Sequence, residues 1–172
     1  MGGAMRRTFD DEARIGALRD YRVLDTAPEP GRDNITQLVC ELLGGPIALV
    51  SLVDEKRQWF KSKCGLDADE TAREISFCTH AIRDDWPLVI EDAHDDPRFV
   101  DNPLVTGPPH IRFYAGAVLR TPDGHALGTL CAIDRQPRSL DEEQLELLVT
   151  LAHQVAPEPE LRRRVAIPGE QH

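Results

Sequence analysis

The stretch GGPIALVSLVDEKRQWFKSKCGL, residues 44–66, has the pattern of a β-hairpin that begins directly after a helix. Gly44 and Gly45 are typical of a helix C-terminus, because glycine adopts the left-handed conformation of a C-cap without strain. Residues 46–54 are apolar at nearly every position, as in a central strand that is covered on both faces. The charged turn EKRQ then leads into a second strand, WFKSK (59–63). The stretch therefore predicts two neighbouring antiparallel strands inside a sheet.

Two helices are predicted before this hairpin. The first covers 8–21, with Thr8 as its cap and with Ile15 and Leu18 on its apolar side. The second covers 33–43, where apolar residues recur at helical spacing: Ile35, Leu38, Val39, Leu42 and Leu43. The proline-rich stretch DTAPEPG separates the two helices.

The segment after the hairpin is less regular. A polar loop leads to SFCTHAI (76–82), where Ser76 is placed to cap a short helix over 77–83. A third strand is predicted over 87–93, and a loop without regular structure over 94–110. Loops of this length in a compact domain usually bind a ligand or form a lid.

The last part of the chain predicts a second hairpin and a final helix. Two strands, 112–121 and 126–134, are joined by the turn PDGH. Ser139 and Glu142 have the spacing of a capping box. The helix that follows carries on one face Leu145, Leu148, Ala152 and Val155. Because hairpins dominate this element order, the predicted fold is α+β, with a central antiparallel sheet of five to six strands.

Composition excludes several classes of function. The chain has 172 residues, which fits one domain, and a net charge of -10, which disfavours a general grip on nucleic acid or anionic membrane. No run reaches the roughly 18 apolar residues of a membrane span. The N-terminus lacks a signal-peptide core, so a cytoplasmic location is predicted. The four cysteines are widely spaced without a CxxC pair, which predicts free thiols.

Several stretches taken together resemble a GAF domain: ALRDYRVLDTAPE, the opening hairpin, SFCTHAI, PLVIEDAHDDPRFVDNPLVTGPPHIRFYAGAVL and DGHALGTLCAIDRQPRSLDEEQLELLVTLAHQV. More narrowly, they are similar to the bacterial sensor type found with histidine kinases and diguanylate cyclases. The resemblance implies a PAS-related fold with the terminal helices on one face of the sheet. It implies a small-molecule pocket on the other face, roofed by 76–84 and 94–111. The chain is expected to divide into an N-terminal tail (1–8), the domain (9–156) and a proline-interrupted tail (157–172).

The resemblance also implies a function. The expected role is non-catalytic sensing of a small molecule in signal transduction, through a histidine kinase or diguanylate cyclase partner or through a homodimer of the terminal helices. Pro157 and Pro159 interrupt the last helix, which favours a stand-alone sensor. No catalytic residue, cofactor, metal or nucleic-acid partner is predicted.

The expected pocket residues come from the strand and short helix, from the long loop and from the last hairpin: Trp59, Phe77, Cys78, His80, Arg98, Phe99, His110, Phe113, Tyr114 and Cys131. Since side chains alternate along a strand, Phe113 and Tyr114 face opposite sides, and at most one of them lines the pocket. Arg98 and Arg112 are the candidates for holding an anionic group.

Cys78 and His80 leave other chemistries open. Positions two apart on a helix diverge, so the pair needs a further ligand to chelate a metal. A position near a helix N-terminus favours the thiolate of Cys78. The main alternative is therefore a thiol-dependent redox enzyme or sensor similar to the free methionine sulfoxide reductases, although their GVCG-type stretch is absent.

Other site signatures are missing from the sequence. Bilin attachment is disfavoured because Cys78 and His80 are not adjacent, and cyclic-nucleotide binding because the Asn-Lys-Phe-Asp-Glu signature is absent. The sequence also lacks a nucleophile turn, a P-loop and a dinucleotide-binding glycine motif, so hydrolysis and hydride transfer are not predicted.

Overall fold

The computed structural model describes residues 10–22, 24–27, 30–84 and 87–155. The elements in this part of the chain are, in order, α1 (Asp11–Asp20), α2 (Pro30–Leu43), β1 (Ile47–Val53), β2 (Arg57–Cys64), β3 (Glu70–Ala72), a 3₁₀ turn (Arg73–Ile75), α3 (Cys78–Ala81), β4 (Leu88–Ile90), a second 3₁₀ turn (Ala93–Asp95), α4 (Pro103–Thr106), β5 (Phe113–Arg120), β6 (Ala126–Asp134) and α5 (Glu142–Val155). The expectations for Thr8, for the tails and for Pro157 and Pro159 lie outside the described residues.

The six strands form one antiparallel sheet in the order β3-β2-β1-β6-β5-β4. Strand β1 is buried at every position, as its unbroken apolar pattern predicts. The α+β class and the antiparallel sheet are therefore confirmed. The short edge strand β3 was predicted as loop, because its sequence, Glu-Thr-Ala, has no apolar alternation and pairs with only the first residues of β2.

One face of the sheet packs against the three longer helices, as expected. Leu18 of α1, Val39 of α2 and Leu148 of α5 are completely buried there, in a cluster with the inward residues of β1, β5 and β6. Leu42 departs from the predicted stripe of α2, because its side chain is 49% exposed.

Helix α1 is held to the sheet by a buried arginine as well as by apolar contacts. Arg14 is 2% exposed, and its Nη1 donates hydrogen bonds to the carbonyl oxygens of Val53 at 2.6 Å and Ala126 at 3.2 Å. Ile15, predicted on the apolar side, is only half-buried. The cap of this helix within the described residues is Asp10, which accepts a hydrogen bond from the backbone N–H of Ala13 at 3.0 Å.

The capping box of α5 lies two residues later than predicted. Asp141 accepts a hydrogen bond from the backbone N–H of Gln144, and the Gln144 side chain accepts one from the N–H of Asp141. This reciprocal pair replaces the predicted pair of Ser139 and Glu142, so that the helix begins at Glu142.

The other face of the sheet is covered by α3, α4 and the connecting loops. The Oγ of Ser76 accepts a hydrogen bond from the N–H of Thr79, but α3 is shorter than the predicted helix over 77–83 and has Phe77, not Ser76, at its N-cap position. The segment predicted as loop over 94–110 does contain structure: the end of the second 3₁₀ turn, and α4 with Asn102 as its cap. The Asn102 amide also donates to the Ile75 carbonyl oxygen at 3.1 Å, which ties this segment to the one before α3.

Among the described residues, no helix has the length and apolar character that crossing a membrane requires.

Candidate functional site

A cavity of about 300 Å³ lies between the sheet and the cover formed by α3, α4 and their loops. Its lining is almost entirely apolar and contains no Asp, Glu, Lys, Arg or His side chain among the described residues: Ile47, Leu49, Gln58, Phe60, Leu66, Ala68, Thr71, Phe77, Cys78, Leu104, Pro108, Pro109, Ile111, Tyr114, Cys131 and Ile133. A cavity with this lining suits a small and largely apolar molecule.

Strand alternation decides which side chains reach the cavity. In β1, Ile47 and Leu49 point to the cavity side, whereas Ala48 and Val50 point to the long helices. The same alternation in β6 directs Cys131 and Ile133 into the cavity. The floor of the cavity is thus a direct consequence of the period of two along these strands.

A buried thiol on α3, in the cover, faces polar groups of the floor. The Sγ atom of Cys78 lies 2.9 Å from Oγ1 of Thr129 and 3.1 Å from the phenol oxygen of Tyr114. Cys131 follows Thr129 by two residues on the same face of β6 and lines the same cavity. Ser51 Oγ is also buried beside the thiols, with no hydrogen-bond partner of standard geometry in the described part of the chain.

These neighbours change the acidity of both thiols. Burial raises the pKa of Cys78, but hydrogen bonds from Cys131, Thr129 and Tyr114 outweigh burial and lower that pKa to about 7. The pKa of Cys131 is raised well above its ordinary value, because its thiol is hydrogen-bonded to Cys78 and because it is buried. Cys78 is therefore the more acidic thiol of the pair, and Cys131 the less acidic one.

A second polar group in the lining is satisfied internally. Gln58 accepts a hydrogen bond from Ser76 Oγ at 2.6 Å and donates one to Thr71 Oγ1 at 3.0 Å. Gln58 is 5% exposed and connects β2 to the start of the cavity cover.

Four of the ten predicted pocket residues line the cavity: Phe77, Cys78, Tyr114 and Cys131. Trp59 and Phe113 instead face the long helices, because each stands one residue out of phase with a cavity-facing neighbour on its strand. The separation of Phe113 from Tyr114 is the one that alternation predicts.

The remaining four predicted residues lie behind the cavity wall or at the surface. Phe99 is fully buried and stacks on Phe77, with ring centroids 4.2 Å apart, so it supports the wall from behind. His80 is largely exposed, with its ring edge against Phe99 at 4.8 Å, and the partial desolvation of its ring lowers its pKa. Arg98 and His110 are also exposed and do not line the cavity.

The two arginines expected to hold an anion are already paired with carboxylates. Arg98 makes two hydrogen bonds to Asp96, at 3.1 and 2.8 Å, and Arg112 makes two to Asp92, both at 2.7 Å. These pairs neutralise the arginines at the surface, which corrects the expectation of an anion anchor in the pocket.

Most of the lining that the sequence prediction missed comes from β1 and β2 and from the cover. The orientation of Ile47, Leu49 and Phe60 could be predicted from the sequence, since these residues alternate with helix-facing residues on buried strands. No sequence pattern predicts that Leu104, Pro109 and Ile111 line the cavity, because their position depends on how the 94–110 segment folds back over the sheet.

The described residues contain no group of three or more histidine, cysteine, aspartate or glutamate side chains placed to hold a metal ion. Cys78 is buried and His80 exposed, so the two side chains diverge along α3.

Comparisons with known proteins agree with this architecture. The family model described as GAF domain matches residues 32–158. A cyclic di-GMP phosphodiesterase of Pseudomonas aeruginosa is 41% identical over 147 residues, which cover 85% of this chain and 25% of the relative. The chain thus spans about a quarter of the length of that curated relative.

Solved structures show the same fold at low identity. The GAF domain of an Acinetobacter phosphoenolpyruvate-protein phosphotransferase has a TM-score of 0.63 at 17% identity, covering 86% of this chain and 92% of that one. A type II free methionine-R-sulfoxide reductase from Thermoplasma acidophilum has a TM-score of 0.61 at 14% identity, covering 74% and 88%.

Proposed function

The chain belongs to the GAF domain family, and from this premise we propose that it is a non-catalytic regulatory domain of bacterial signalling that binds a small, neutral and largely apolar molecule. The observation that carries the proposal is the cavity of about 300 Å³ with its apolar lining. This volume stands at the lower end of the range of about 300–1,000 Å³ found for small-molecule pockets.

The absence of Asp, Glu, Lys, Arg and His side chains among the described lining residues argues for a neutral ligand. Burying an ion without a partner costs several kcal/mol, and the described lining offers no cationic side chain to pair with a ligand anion and no acidic residue other than the Cys78 thiol to pair with a ligand cation. Cyclic di-GMP, which the name of the Pseudomonas relative gives as a substrate, carries two phosphates. We therefore propose a ligand of a different class for this cavity.

A second candidate function is thiol-dependent reduction, and one observation favours it. Cys78 lies in the cavity wall with hydrogen-bond donors that stabilise its thiolate. A free amino acid such as methionine sulfoxide is zwitterionic, however, and the described lining has no cationic side chain to pair with its carboxylate. Sensing remains the first proposal for this reason.

We further propose that the signal leaves through the face opposite the cavity. Helices α1 and α5 pack there, and Leu42 of α2 leaves a large apolar side chain exposed. A shift of these helices would be transmitted across a homodimer of the terminal helices, or to a histidine kinase or diguanylate cyclase partner. The concentration dependence of the molar mass in solution tests the dimer.

Thermal unfolding in the presence of probe molecules tests the binding proposal. A ligand at about 100 times its Kd stabilises by about 2.7 kcal/mol, which raises the Tm of a domain of this size by about 5–10 °C. Indole and 2-phenylethanol are suitable neutral probes, and L-methionine sulfoxide and cyclic di-GMP are the charged comparisons. We expect a shift from at least one neutral probe and from neither charged compound.

Two alanines provide a matched pair of variants for this experiment. Ala68 lies exposed at the edge of the cavity, so Ala68→Trp should block it and abolish the shift. Ala72 is also exposed but does not line the cavity, so Ala72→Trp should leave the shift unchanged. A shift that survives Ala68→Trp would place binding elsewhere and contradict the proposal.

A further inference from the structure

Resting on the proposed function, we propose that the cavity senses organic hydroperoxides, with Cys78 as the oxidised thiol and Cys131 as the thiol that completes a disulfide.

Burial of both thiols inside the cavity selects the oxidant. Cys78 is 2% exposed and Cys131 0% exposed, yet both line the cavity, so an oxidant must enter the cavity to reach them. The apolar lining favours a hydroperoxide with a hydrocarbon group over hydrogen peroxide, which is small and strongly hydrated. Selectivity for the organic compound therefore follows from the lining.

The hydroxyl groups around Cys78 match the needs of the first step. The Cys78 thiolate attacks the terminal peroxide oxygen, an S–O bond forms, and the O–O bond breaks to release an alkoxide. Burial raises the pKa of Tyr114 well above its usual value, so its phenol, 3.1 Å from Sγ, stays protonated and can donate a proton to the alkoxide. The phenolate then recovers from solvent the proton that Cys78 released when it ionised. The buried Ser51 Oγ lies beside Cys78 and is placed to hydrogen-bond the new sulfenic acid oxygen.

Cys131 completes the second step. Its sulfur attacks the sulfur of Cys78, an S–S bond forms and the S–O bond breaks, and the released hydroxide leaves as water with the proton of Cys131. In total, two thiols and one hydroperoxide give one disulfide, one alcohol and one water, a two-electron oxidation of the pair.

The disulfide would change the cover of the cavity. A disulfide requires an S–S distance of about 2.05 Å, so the bond draws α3, which carries Cys78, toward the centre of β6. Oxidation also changes the sulfur atom with which Thr129 and Tyr114 form hydrogen bonds. Since α3 forms part of the cover, oxidation and cavity shape are coupled.

The chain contains a second pair of cysteines that serves as an internal comparison. Cys40 of α2 and Cys64 of β2 are neighbours and half-buried, outside the cavity. Burial and the neighbouring Cys64 raise the pKa of Cys40 to about 12. This pair is more accessible than Cys78 and Cys131 but holds little thiolate on Cys40, so reaction controlled by access alone would oxidise it first.

The experiment treats the reduced full chain with equimolar cumene hydroperoxide or hydrogen peroxide and locates disulfides by peptide mass spectrometry. We expect the Cys78–Cys131 disulfide to form at least about tenfold faster with cumene hydroperoxide, because burying one phenyl group contributes more than a factor of ten in binding. In the Cys131→Ser variant, oxidation should stop at the sulfenic acid of Cys78, which dimedone traps. Cys64→Ser should leave the rate at Cys78 unchanged.

Equal rates with the two peroxides, or oxidation confined to Cys40 and Cys64, would overturn this inference. The alcohol 2-phenylpropan-2-ol, which has nearly the shape of cumene hydroperoxide, separates its failure from that of the proposed function. If the alcohol raises the Tm of the reduced chain but cumene hydroperoxide does not oxidise Cys78, the hydroperoxide inference fails and ligand sensing stands. If no neutral probe raises the Tm and no oxidation occurs, both fail.

Discussion

The phenol oxygen of Tyr114 occupies the space in which a Cβ atom on Gly116 would lie. Both residues stand on the cavity face of β5, two positions apart, and only a glycine at 116 lets the tyrosine ring lie back along the strand. The hydroxyl of Tyr114 reaches Cys78 from this position. The thiol environment therefore depends on a glycine that does not touch the thiol.

We predict that Gly116→Ala destabilises the domain by about 1–3 kcal/mol, because the added methyl group displaces a buried aromatic ring. Urea unfolding measures the change. Gly16 is the matched control, since it lies exposed on α1 with nothing near its Cβ position, and Gly16→Ala should stabilise by about 0.5–1 kcal/mol. An unchanged free energy of unfolding in Gly116→Ala would mean that Tyr114 does not occupy this position.

The acidity of Cys78 gives a second prediction. Tyr114→Phe removes one donor to the thiolate, so the pKa of Cys78 should rise above its value of about 7. The absorbance of the thiolate at 240 nm, followed against pH in a Cys40→Ser and Cys64→Ser background, measures this pKa. Tyr21→Phe, a change on the opposite face of the sheet, should leave it unaltered. An unshifted titration in Tyr114→Phe would show that this hydroxyl does not stabilise the thiolate.

Most of the fold was predictable because the apolar pattern of each long helix or strand extends over several residues. The apolar run of β1 and the spacing of Val39 and Leu43 each depend on burial that several neighbouring residues share. Single-residue signals were less reliable, as the two-residue shift from Ser139 to the Asp141 cap shows. A capping pattern occurs wherever suitable residues are three apart, and tertiary packing decides which of the possible starts the helix uses.

The site was less predictable than the fold, for a geometric reason. Alternation separates the two faces of a strand, but it does not tell which face is the cavity, so Trp59 was assigned to the wrong one. The charged residues of the long loop, such as Arg98, were expected in the pocket because their partners could not be seen in the sequence. The pairing with Asp96 depends on the path of the loop.

The buried arginine of α1 leads to a third prediction. Arg14→Leu leaves the carbonyl oxygens of Val53 and Ala126 without their donor, so it should destabilise the domain by about 1–3 kcal/mol in urea unfolding. Arg19→Leu is the control on the same helix, because that side chain is 55% exposed and its pair with Asp54 contributes about 1 kcal/mol or less. Equal effects of the two variants would show that the buried hydrogen bonds of Arg14 contribute no more to the free energy of unfolding than the exposed ion pair of Arg19 does.

The pair of Asp92 and Arg112 leads to a prediction about acid stability. The carboxylate accepts two hydrogen bonds from the guanidinium and one from the backbone N–H of His94, which ties the second 3₁₀ turn to the start of β5. The hydrogen bonds from Arg112, with a smaller contribution from the N–H of His94, lower the pKa of Asp92 from 3.8 to about 2. A carboxyl group with a lowered pKa stabilises the fold above about pH 4, and this contribution is lost as the pH falls toward 2.

Arg112→Gln should therefore return the pKa of Asp92 toward its ordinary range, measured by NMR titration of the side-chain carboxyl. The variant should be less stable than the wild type at neutral pH, and the difference should shrink between pH 4 and pH 2, where the wild-type carboxylate also becomes protonated. Arg135→Gln is a suitable control, because Arg135 donates to the Pro109 carbonyl oxygen and should leave Asp92 unchanged. A stability difference that stays constant down to pH 2 would mean that Arg112 acts through packing rather than through the charge of Asp92.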